Sequence, residues 1–423
     1  MLRPDLLERA TRRAAERAAA GGLRRLRVAE RGPGRHVEIA GRRLLSFASN
    51  DYLGLAGHAA VRGALIECAA REGVGATAAH LLGGHGREHD ALERELAAWL
   101  GRERALLFSS GDAANLGVLS ALLGADDVCV QDRLNHRSLL DAARLCAAEL
   151  KRYRHADADS AARQLASRPG AAALLATDGV FSMDGDVAPL RELAVLCAAE
   201  GATLMVDDAH GIGVLGEDGR GSVDEAGLDA DEVPVLMVTL GKALGCAGAA
   251  VAGDAELVEA LVQFAGTYIY TTALPPALAA ATRSALAIAR HERWRRDRLV
   301  VLIAHFRRGA ERRGLALAAS RTPIQPVFAG ESGRALALAE HLERRGYFVP
   351  AIRPPTVPQG QARLRVALSA LHRESELDAL LDALAEGMAA LDHDALAGPS
   401  PAARRTPTGR VRHLRPGPAR DRA

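Results

Sequence analysis

Short apolar segments alternate with amphipathic helical segments from about residue 87 onward, and this alternation is the strongest constraint on the fold. The apolar residues of each segment are continuous along the chain, which is typical of β-strands buried on both faces. Helical segments separate these strands, as crossover helices do in a parallel sheet. We therefore predict an α/β fold with a large, mainly parallel sheet. The strands are predicted at residues 105–108, 127–130, 171–177, 203–206, 235–240 and 248–251, and the helices at 87–100, 112–123, 136–147 and 190–199.

A second mixed unit follows Leu274-Pro-Pro276 and a long Ala- and Arg-rich helical stretch. There the pattern predicts strands at 324–328 and 363–367 and helices at 335–345 and 374–390. The chain is therefore expected to contain a large domain, a smaller one and two peripheral segments. These regions are an N-terminal helix and arm (1–47), the large domain (48–285), a smaller α+β C-terminal domain (286–395) and a disordered Pro- and Arg-rich tail (396–423).

Composition and charge argue against several classes of protein. Of the 423 residues, 48% are hydrophobic and 25% are charged, as in ordinary soluble globular proteins. The net charge of +2 includes a surplus of six in residues 401–423, so residues 1–400 carry −4 and show no nucleic-acid-binding footprint. No apolar stretch is long enough to span a bilayer, and the N-terminus is typical of a surface helix, not of a secretory signal. Five scattered cysteines without a Cys-x-x-Cys pair favour a reducing cytoplasm, with neither disulfides nor a metal site.

Lysine is scarce, because only Lys151 and Lys242 among the 54 basic side chains are lysines. Lys151 lies in a charged stretch where arginine would serve equally well. Lys242 lies in the glycine-flanked turn Thr239–Gly245, directly after a predicted strand. A desolvated lysine can lose its proton and form a Schiff base, whereas arginine keeps its charge. Lys242 is therefore a candidate catalytic residue, although a lysine retained by chance would look the same.

An acidic pair and a histidine follow the strand that precedes Lys242 in the predicted sheet. Asp207, Asp208 and His210 come directly after residues 203–206. Because ligands bind at the carboxyl ends of strands in open α/β sheets, we expect these side chains to converge with Lys242 at one edge. A structural ion pair is the more common reason for an acid beside a lysine. The same set also suits pyridoxal 5'-phosphate (PLP), which needs a lysine for its Schiff base and a carboxylate that keeps its pyridine nitrogen protonated.

A phosphate anchor is predicted in Ser109–Asn115, which follows a strand and opens a helix. Free N–H groups at a helix N-terminus bind anions, and Gly111 lets the backbone approach closely. An ordinary helix N-cap is the alternative explanation. Other candidate cofactor contacts are the hydroxyls of Thr239, Thr271 and Thr272 and the ring of His136.

One dinucleotide-like motif is rejected. Gly211–Gly216 matches the pattern Gly-x-Gly-x-x-Gly and follows a strand. The pyrophosphate of a dinucleotide needs a helix directly after these glycines. Here turn residues follow instead, so the motif does not predict a dinucleotide site.

Six motifs occur together in the order found in one enzyme family, and the similarity covers roughly residues 20–392. They are Asn50–Leu55, Asn135–Asp141, Val180–Asp186, Val206–Gly211, Thr239–Gly245 and Ile269–Pro276. By these motifs the chain resembles the α-oxoamine synthases, PLP-dependent enzymes of the aspartate-aminotransferase-like fold. Ala351–Pro358 resembles the branch of the family that acts in biotin biosynthesis.

The resemblance implies a role for each matching residue. Lys242 would carry the cofactor as a Schiff base, and Asp207 would pair with its pyridinium nitrogen. His210 and Ser182 would bond the phenolic oxygen of the ring, and His136 would stack on the ring. By the same resemblance the phosphate would be held by Gly111, Asp112 and Thr239, and substrate would be contacted by Arg24 (or its neighbour Arg25), His136 and Thr356.

The implied activity is the decarboxylative condensation of L-alanine with a pimeloyl thioester of CoA or of a carrier protein. The resemblance also implies a cytoplasmic homodimer in which Thr271 and Thr272 reach the partner's phosphate, with no nucleic-acid or membrane partner. Alternatives are an α-oxoamine synthase of the glycine C-acetyltransferase, aminolevulinate synthase or serine palmitoyltransferase type, or a non-catalytic regulator on the same scaffold. Two departures from the family pattern are Asp112, where an aromatic is usual, and Gly75–Gly84, where a Gly/Ser-rich stretch is familiar.

Overall fold

The structure is a computed structural model and describes residues 3, 5–19, 22–24, 26–31 and 35–397. The helices are α1 (Leu6–Ala19), α2 (Ala59–Glu72), α3 (Arg87–Leu100), α4 (Gly111–Leu122), α5 (Arg137–Leu145), α6 (Ala158–Leu165), α7 (Leu190–Glu200), α8 (Ser222–Glu225), α9 (Ala255–Phe264), α10 (Gly266–Ile269), α11 (Pro276–His291), α12 (Trp294–Arg312), α13 (Ser332–Arg344) and α14 (Glu374–Ala397). The strands are β1 (Ala29–Arg31), β2 (His36–Ile39), β3 (Arg42–Ser46), β4 (Arg104–Phe108), β5 (Val128–Asp132), β6 (Glu149–Tyr153), β7 (Ala173–Asp178), β8 (Thr203–Asp207), β9 (Val235–Thr239), β10 (Ala249–Gly253), β11 (Ile324–Gly330), β12 (Tyr347–Phe348), β13 (Ala351–Ile352) and β14 (Ala362–Ala367).

The central sheet has the strand order β4-β10-β9-β8-β7-β5-β6 within the described residues. The pairs β9/β8, β8/β7, β7/β5 and β5/β6 are parallel, whereas β10 runs antiparallel to both of its neighbours. The predicted α/β fold with a mainly parallel sheet is therefore confirmed. Strand β6 was not predicted, because its sequence Glu-Leu-Lys-Arg-Tyr is too polar for the apolar pattern. It lies at the sheet edge, where charged side chains are common.

Both faces of the central sheet are buried. Along β4, Leu106 and Phe108 pack into one hydrophobic cluster, whereas Ala105 and Leu107 pack into another on the opposite face. Successive side chains of a strand point to opposite faces, so an uninterrupted apolar strand requires cover on both sides. Truncating a fully buried leucine such as Leu107 to alanine would cost about 2–5 kcal/mol.

The sheet brings several loops to one edge. Strands β5, β7, β8 and β9 are parallel, so the segments that follow them leave the sheet on the same side. Strand β4 points the same way, because β10 lies antiparallel to both β4 and β9. Helix α4 begins at this edge, three residues after β4 ends.

The N-terminal and C-terminal parts of the chain meet in a smaller sheet of order β1-β2-β3-β12, where β3 pairs in parallel with β12. A further sheet has the order β11-β14-β13. Domain boundaries at residues 48–285 and 286–395 stay a prediction, and the tail from residue 398 lies outside the described residues. Among the described helices, none combines the length and the apolar character needed to cross a membrane.

Candidate active site

A cavity of about 230 Å³ opens at the edge of the sheet where the loops converge. Within the described chain its lining comes from the ends of β7, β8 and β9, the first turn of α4, and the turn before α5. It therefore brings together residues from segments far apart in the sequence. Eight of the predicted site residues line it: Gly111, Asp112, His136, Ser182, Asp207, His210, Thr239 and Lys242.

Lys242 places a buried amine in the cavity. Its Nζ lies 2.9 Å from Nε2 of His210, whose Nδ1 lies 2.7 Å from the hydroxyl of Tyr52. Burial is the main reason that the pKa of Lys242 lies below its usual value, against the opposing charge of Asp207. Burial, and then the neighbouring Lys242, also lowers the pKa of His210 well below its ordinary range. The site therefore favours a neutral imidazole beside an amine that loses its proton readily.

Asp207 lies at the end of β8 and is 5% exposed. Its Oδ2 accepts a hydrogen bond of 2.8 Å from Nδ2 of Asn115, and its Oδ1 accepts one of 3.1 Å from the Ala209 N–H. Nδ2 of Asn115 also donates to Ser138 Oγ at 2.8 Å. Asp207 therefore presents a carboxylate to the cavity that is held in place by hydrogen bonds from two segments of the chain.

His136 caps α5 from the other side of the cavity. Its Nδ1 lies 2.7 Å from Ser138 Oγ, and its backbone N–H donates to the carboxylate of Asp178 at 3.1 and 3.2 Å. The predicted helix began at His136, whereas α5 begins one residue later because His136 is its N-cap. Burial and then the charge of Asp207 raise the pKa of Asp178 well above its usual value. These contacts orient the imidazole of His136 at the cavity wall.

The first turn of α4 supplies anion-binding groups. Ser110 is the N-cap, and its hydroxyl accepts a hydrogen bond from the Ala113 N–H at 3.1 Å. The N–H groups of Gly111 and Asp112 come first in the helix, where no intrahelical acceptor exists. Such N–H groups, together with the helix dipole, are typical of sites that bind a phosphate. The hydroxyl of Thr239 lies at the end of β9 and donates to the Gly248 carbonyl at 3.2 Å.

Arg365 is a buried cation in β14 that contacts residues beside the cavity. Its Nε donates to the Ser182 carbonyl at 2.6 Å, and its Nη1 donates to Asn50 Oδ1 at 3.1 Å. Its positive charge contributes to the lowered pKa values of His210 and Lys242. The guanidinium therefore adds positive charge to the site without lining the cavity.

Other predicted residues are not brought to the cavity within this chain. Arg24 and Thr356 are exposed, and Arg25 lies outside the described residues. Thr272 pairs with Ala79 in an isolated bridge, and neither it nor Thr271 is among the lining residues of the described chain. Their roles at the site stay predictions.

Asp208 does not line the cavity, and its hydrogen bonds stabilise the loop that follows β8. It is fully buried and accepts hydrogen bonds from the Ser222 N–H at 2.8 Å and the Ser222 hydroxyl at 2.6 Å. Burial raises the pKa of Asp208 to about 7, against these hydrogen bonds. A Cβ at Gly211 or Gly221 would clash with the Asp208 carboxylate. Gly211 of the rejected dinucleotide motif and the later Gly221 therefore make room for Asp208, and the four-residue α8 that follows is too short to hold a pyrophosphate.

Five contributors to the site were not assigned from the sequence: Tyr52, Asn115, Ser138, Asp178 and Arg365. Tyr52 and Asn115 lie within motifs that were recognised, but their side-chain partners are more than 90 residues away in the chain. Arg365 lies in a predicted strand, and the sequence pattern of a strand does not show whether an arginine within it is buried. Only the position of Asp178 at the end of a strand was a usable signal.

The lining fits PLP by its chemistry. A buried lysine with a lowered pKa, a buried carboxylate and a helix N-terminus are the amine, the ring-nitrogen partner and the phosphate site that this cofactor requires. No described lining residue is a cysteine, and the one group of Cys, Asp, Glu and His with metal-ligand spacing in the described chain, Cys68, Glu72 and Glu88, lies outside the cavity. In that group Glu88 is already paired with Arg71 and Arg283.

Comparison with known proteins identifies the family of the chain. Residues 42–384 match the aminotransferase class I and II family. The 8-amino-7-oxononanoate synthase of Stenotrophomonas maltophilia is 55% identical over 91% of this chain and 95% of its own length. Among solved structures, the 8-amino-7-oxononanoate synthase of Francisella tularensis has a TM-score of 0.73 and 29% identity over 83% of this chain and 99% of its own. A lysine-to-alanine variant of the serine palmitoyltransferase from S. paucimobilis, with a bound PLP–myriocin aldimine, has a TM-score of 0.87 and 26% identity over 92% of this chain and 100% of its own. The chain belongs to the aminotransferase class I and II family, whose fold is that of PLP-dependent enzymes, and within it to the 8-amino-7-oxononanoate synthases.

Proposed function

We propose that this protein condenses L-alanine with a pimeloyl thioester, with loss of carbon dioxide and of the carrier thiol, to give 8-amino-7-oxononanoate. The observation that carries the proposal is the buried amine of Lys242, held 2.9 Å from His210 in a cavity that also contains Asp207. The choice of alanine over glycine or serine rests on the 55% identity to an 8-amino-7-oxononanoate synthase.

The cofactor of the reaction is PLP, which supplies an electron sink for a carbanion at the amino-acid Cα when it is bound. Lys242 would hold it covalently, Asp207 would keep its pyridine nitrogen protonated, and the first turn of α4 would bind its phosphate. Asn115 orients Asp207 through the hydrogen bond of 2.8 Å. His136 lines the cavity at the start of α5, where its ring would stack on the cofactor.

Lys242 is the group that moves a proton. Its lowered pKa lets a neutral Nζ accept the Cα proton of alanine. Tyr52 holds the neighbouring imidazole through Nδ1, so Nε2 of His210 stays directed at Nζ. The same Nζ, once protonated, can return a proton to carbon after decarboxylation. Arg365 lies behind Ser182 and Tyr52 and supplies the positive charge that a substrate carboxylate needs near the cavity.

We infer that the working enzyme is a homodimer. Thr271 and Thr272 are not at the cavity of their own chain, which supports the role at the partner's site that the family resemblance implies for them. All five cysteines are free thiols, which supports a reducing cytoplasm as the location.

The test is a thiol-release assay with purified protein and PLP. L-alanine, glycine and L-serine are each combined with pimeloyl-CoA, a pimeloyl carrier protein and palmitoyl-CoA. We expect release with alanine and a pimeloyl donor, together with formation of 8-amino-7-oxononanoate. Preferred turnover of serine with palmitoyl-CoA, or of glycine with any donor, would refute the proposal.

A further inference from the structure

His155 lies between two carboxylates on the loop that follows the edge strand β6. Its Nδ1 is 3.0 Å from Asp132 Oδ1, and its Nε2 is 2.8 Å from Asp186 Oδ2. The ring of Phe181 packs edge-on against it, with ring centroids 4.4 Å apart. The Asp132 side chain is fully buried, and that of Asp186 is 25% exposed. Neither the sequence motifs nor the proposed reaction assigns a role to this histidine.

The geometry requires a doubly protonated ring. An ionised carboxylate only accepts hydrogen bonds, so both ring nitrogens must donate, and only the imidazolium has two N–H groups. Burial opposes this charge, but the hydrogen bonds and charges of Asp132 and Asp186 outweigh it and raise the pKa of His155 to about 10. The next residue, Ala156, has a φ of 51°, and its N–H donates to Asp132 Oδ2 at 2.8 Å. An alanine in this left-handed region is unfavourable, so the surrounding contacts must hold the loop in place.

Asp132 controls the turn that carries His136. It is the last residue of β5, four positions before His136, and its Oδ1 also accepts a hydrogen bond from the Leu134 N–H at 2.8 Å. The Asn135 N–H donates to the Asp132 carbonyl at 3.3 Å. Contacts on both the side chain and the backbone of Asp132 therefore set the path of the chain toward the cavity.

Asp186 controls the hairpin that carries Ser182. Its carbonyl accepts the Phe181 N–H at 3.0 Å, and Val180 pairs with Val187 to close the hairpin. The hairpin is also attached to the C-terminal part of the chain, because Arg365 binds the Ser182 carbonyl and Arg363 pairs with Asp184. His155 is the attachment on the other side, toward the central sheet.

We propose that His155 is a positioning residue that, as an imidazolium bound to Asp132 and Asp186, holds the His136 turn and the Ser182 hairpin at the spacing that the cavity requires. His155 lines no part of the cavity in the described chain, so it acts through these two loops. The proposal rests on the proposed function only in that His136 and Ser182 face the cofactor. We call this ion-paired set of Asp132, His155 and Asp186 the clamp. Without it, the His136 turn and the Ser182 hairpin are no longer bound to the same side chain, and the spacing between them changes.

The principal test is His155→Gln in the PLP-loaded enzyme, because glutamine is neutral and cannot donate from two separated nitrogens. We expect kcat with alanine to fall at least tenfold, with less than a threefold change in the KM for alanine. We also expect the visible-region circular dichroism of the bound cofactor to change, since this signal reports the asymmetric contacts of the ring. His305→Gln is the matched control, because His305 pairs with Asp378 at 2.9 Å between α12 and α14. It should leave both kcat and the dichroism unchanged.

A lower unfolding temperature without a change in kcat or dichroism would show that His155 only stabilises the fold and would overturn the proposal. If His155→Gln fails to fold, Asp186→Ala is the second variant. It removes one of the two carboxylates that bind His155 and leaves the imidazolium paired with Asp132. Wild-type kcat and dichroism in that variant would also overturn the proposal. The dichroism comparison needs no substrate, so it still tests the clamp if the wild-type protein proves inactive with alanine and a pimeloyl donor.

Discussion

Asn115→Ala tests whether Asp207 depends on a hydrogen bond from α4, the helix whose first turn we propose to bind the cofactor phosphate. Asn115 is fully buried in α4, and its Nδ2 donates to Asp207 Oδ2 and to Ser138 Oγ, both at 2.8 Å. No motif reasoning assigned it a role. Alanine keeps the helix and removes both hydrogen bonds.

The size of the effect follows from the charge of the acceptor. A hydrogen bond to a charged group contributes about 1.5–3 kcal/mol, whereas one between neutral groups contributes about 0.5–1.5 kcal/mol. Losing the bond to Asp207 therefore destabilises its ionised form by an amount equal to roughly a 10- to 150-fold change in an equilibrium or rate constant. The loss should appear in kcat more than in the KM for alanine, because the protonated pyridine nitrogen matters most when a carbanion develops.

The assay is steady-state turnover of alanine with a pimeloyl thioester, together with the cofactor Kd measured by fluorescence or absorbance titration. Gln131→Ala is the matched control, since its buried amide donates at 2.9 Å to the Leu139 carbonyl of α5 and does not touch Asp207. We expect the control to stay within threefold of the wild-type kcat. If Asn115→Ala also stays within twofold, the carboxylate does not need this donor, and the reasoning about Asp207 is wrong.

Four further predictions concern the cofactor, the dimer and the tail. Borohydride should fix the cofactor on Lys242, and Lys242→Arg should abolish turnover because arginine keeps its proton; peptide mapping that finds the label on Lys151 would contradict this. Asp112→Tyr should tighten cofactor binding a fewfold, since Asp112 is exposed and its charge opposes a phosphate by on the order of 1 kcal/mol, partly offset by the helix dipole; an unchanged or higher Kd would mean that the side chain faces away. Thr271→Ala should raise the cofactor Kd in a protein that sediments as a dimer, and full activity in a monomer would exclude a shared site. Removing residues 398–423 should leave kcat unchanged, because that Pro- and Arg-rich sequence has too little apolar surface to pack, and loss of activity would show that it docks.

Much of the fold was predictable because it depends on local pattern. Continuous apolar runs are buried on both faces wherever they pair, so the strands β4, β5, β7, β8, β9 and β10 could be located from sequence alone. The same logic placed Asp207, His210 and Lys242 at one edge, since residues that directly follow parallel strands leave the sheet together. The direction of β10 was not predictable, because apolar strands look alike whichever way they run. Strand β6 was missed because its polar sequence is stable only as an edge strand beside β5.

The sequence by itself determined which residue types could do the chemistry: one lysine in a turn, an acid and a histidine after a strand, and glycine at a helix start. Only the tertiary structure decided which groups tune them. Tyr52 reaches His210 across 158 residues, and Asn115 reaches Asp207 across 92. Such contacts depend on how the elements pack, because hydrogen-bond partners in a folded core are chosen by proximity in space and not by spacing along the chain. For the same reason His155 is one histidine among 14 in the sequence, and its position between two carboxylates emerges only in the folded chain.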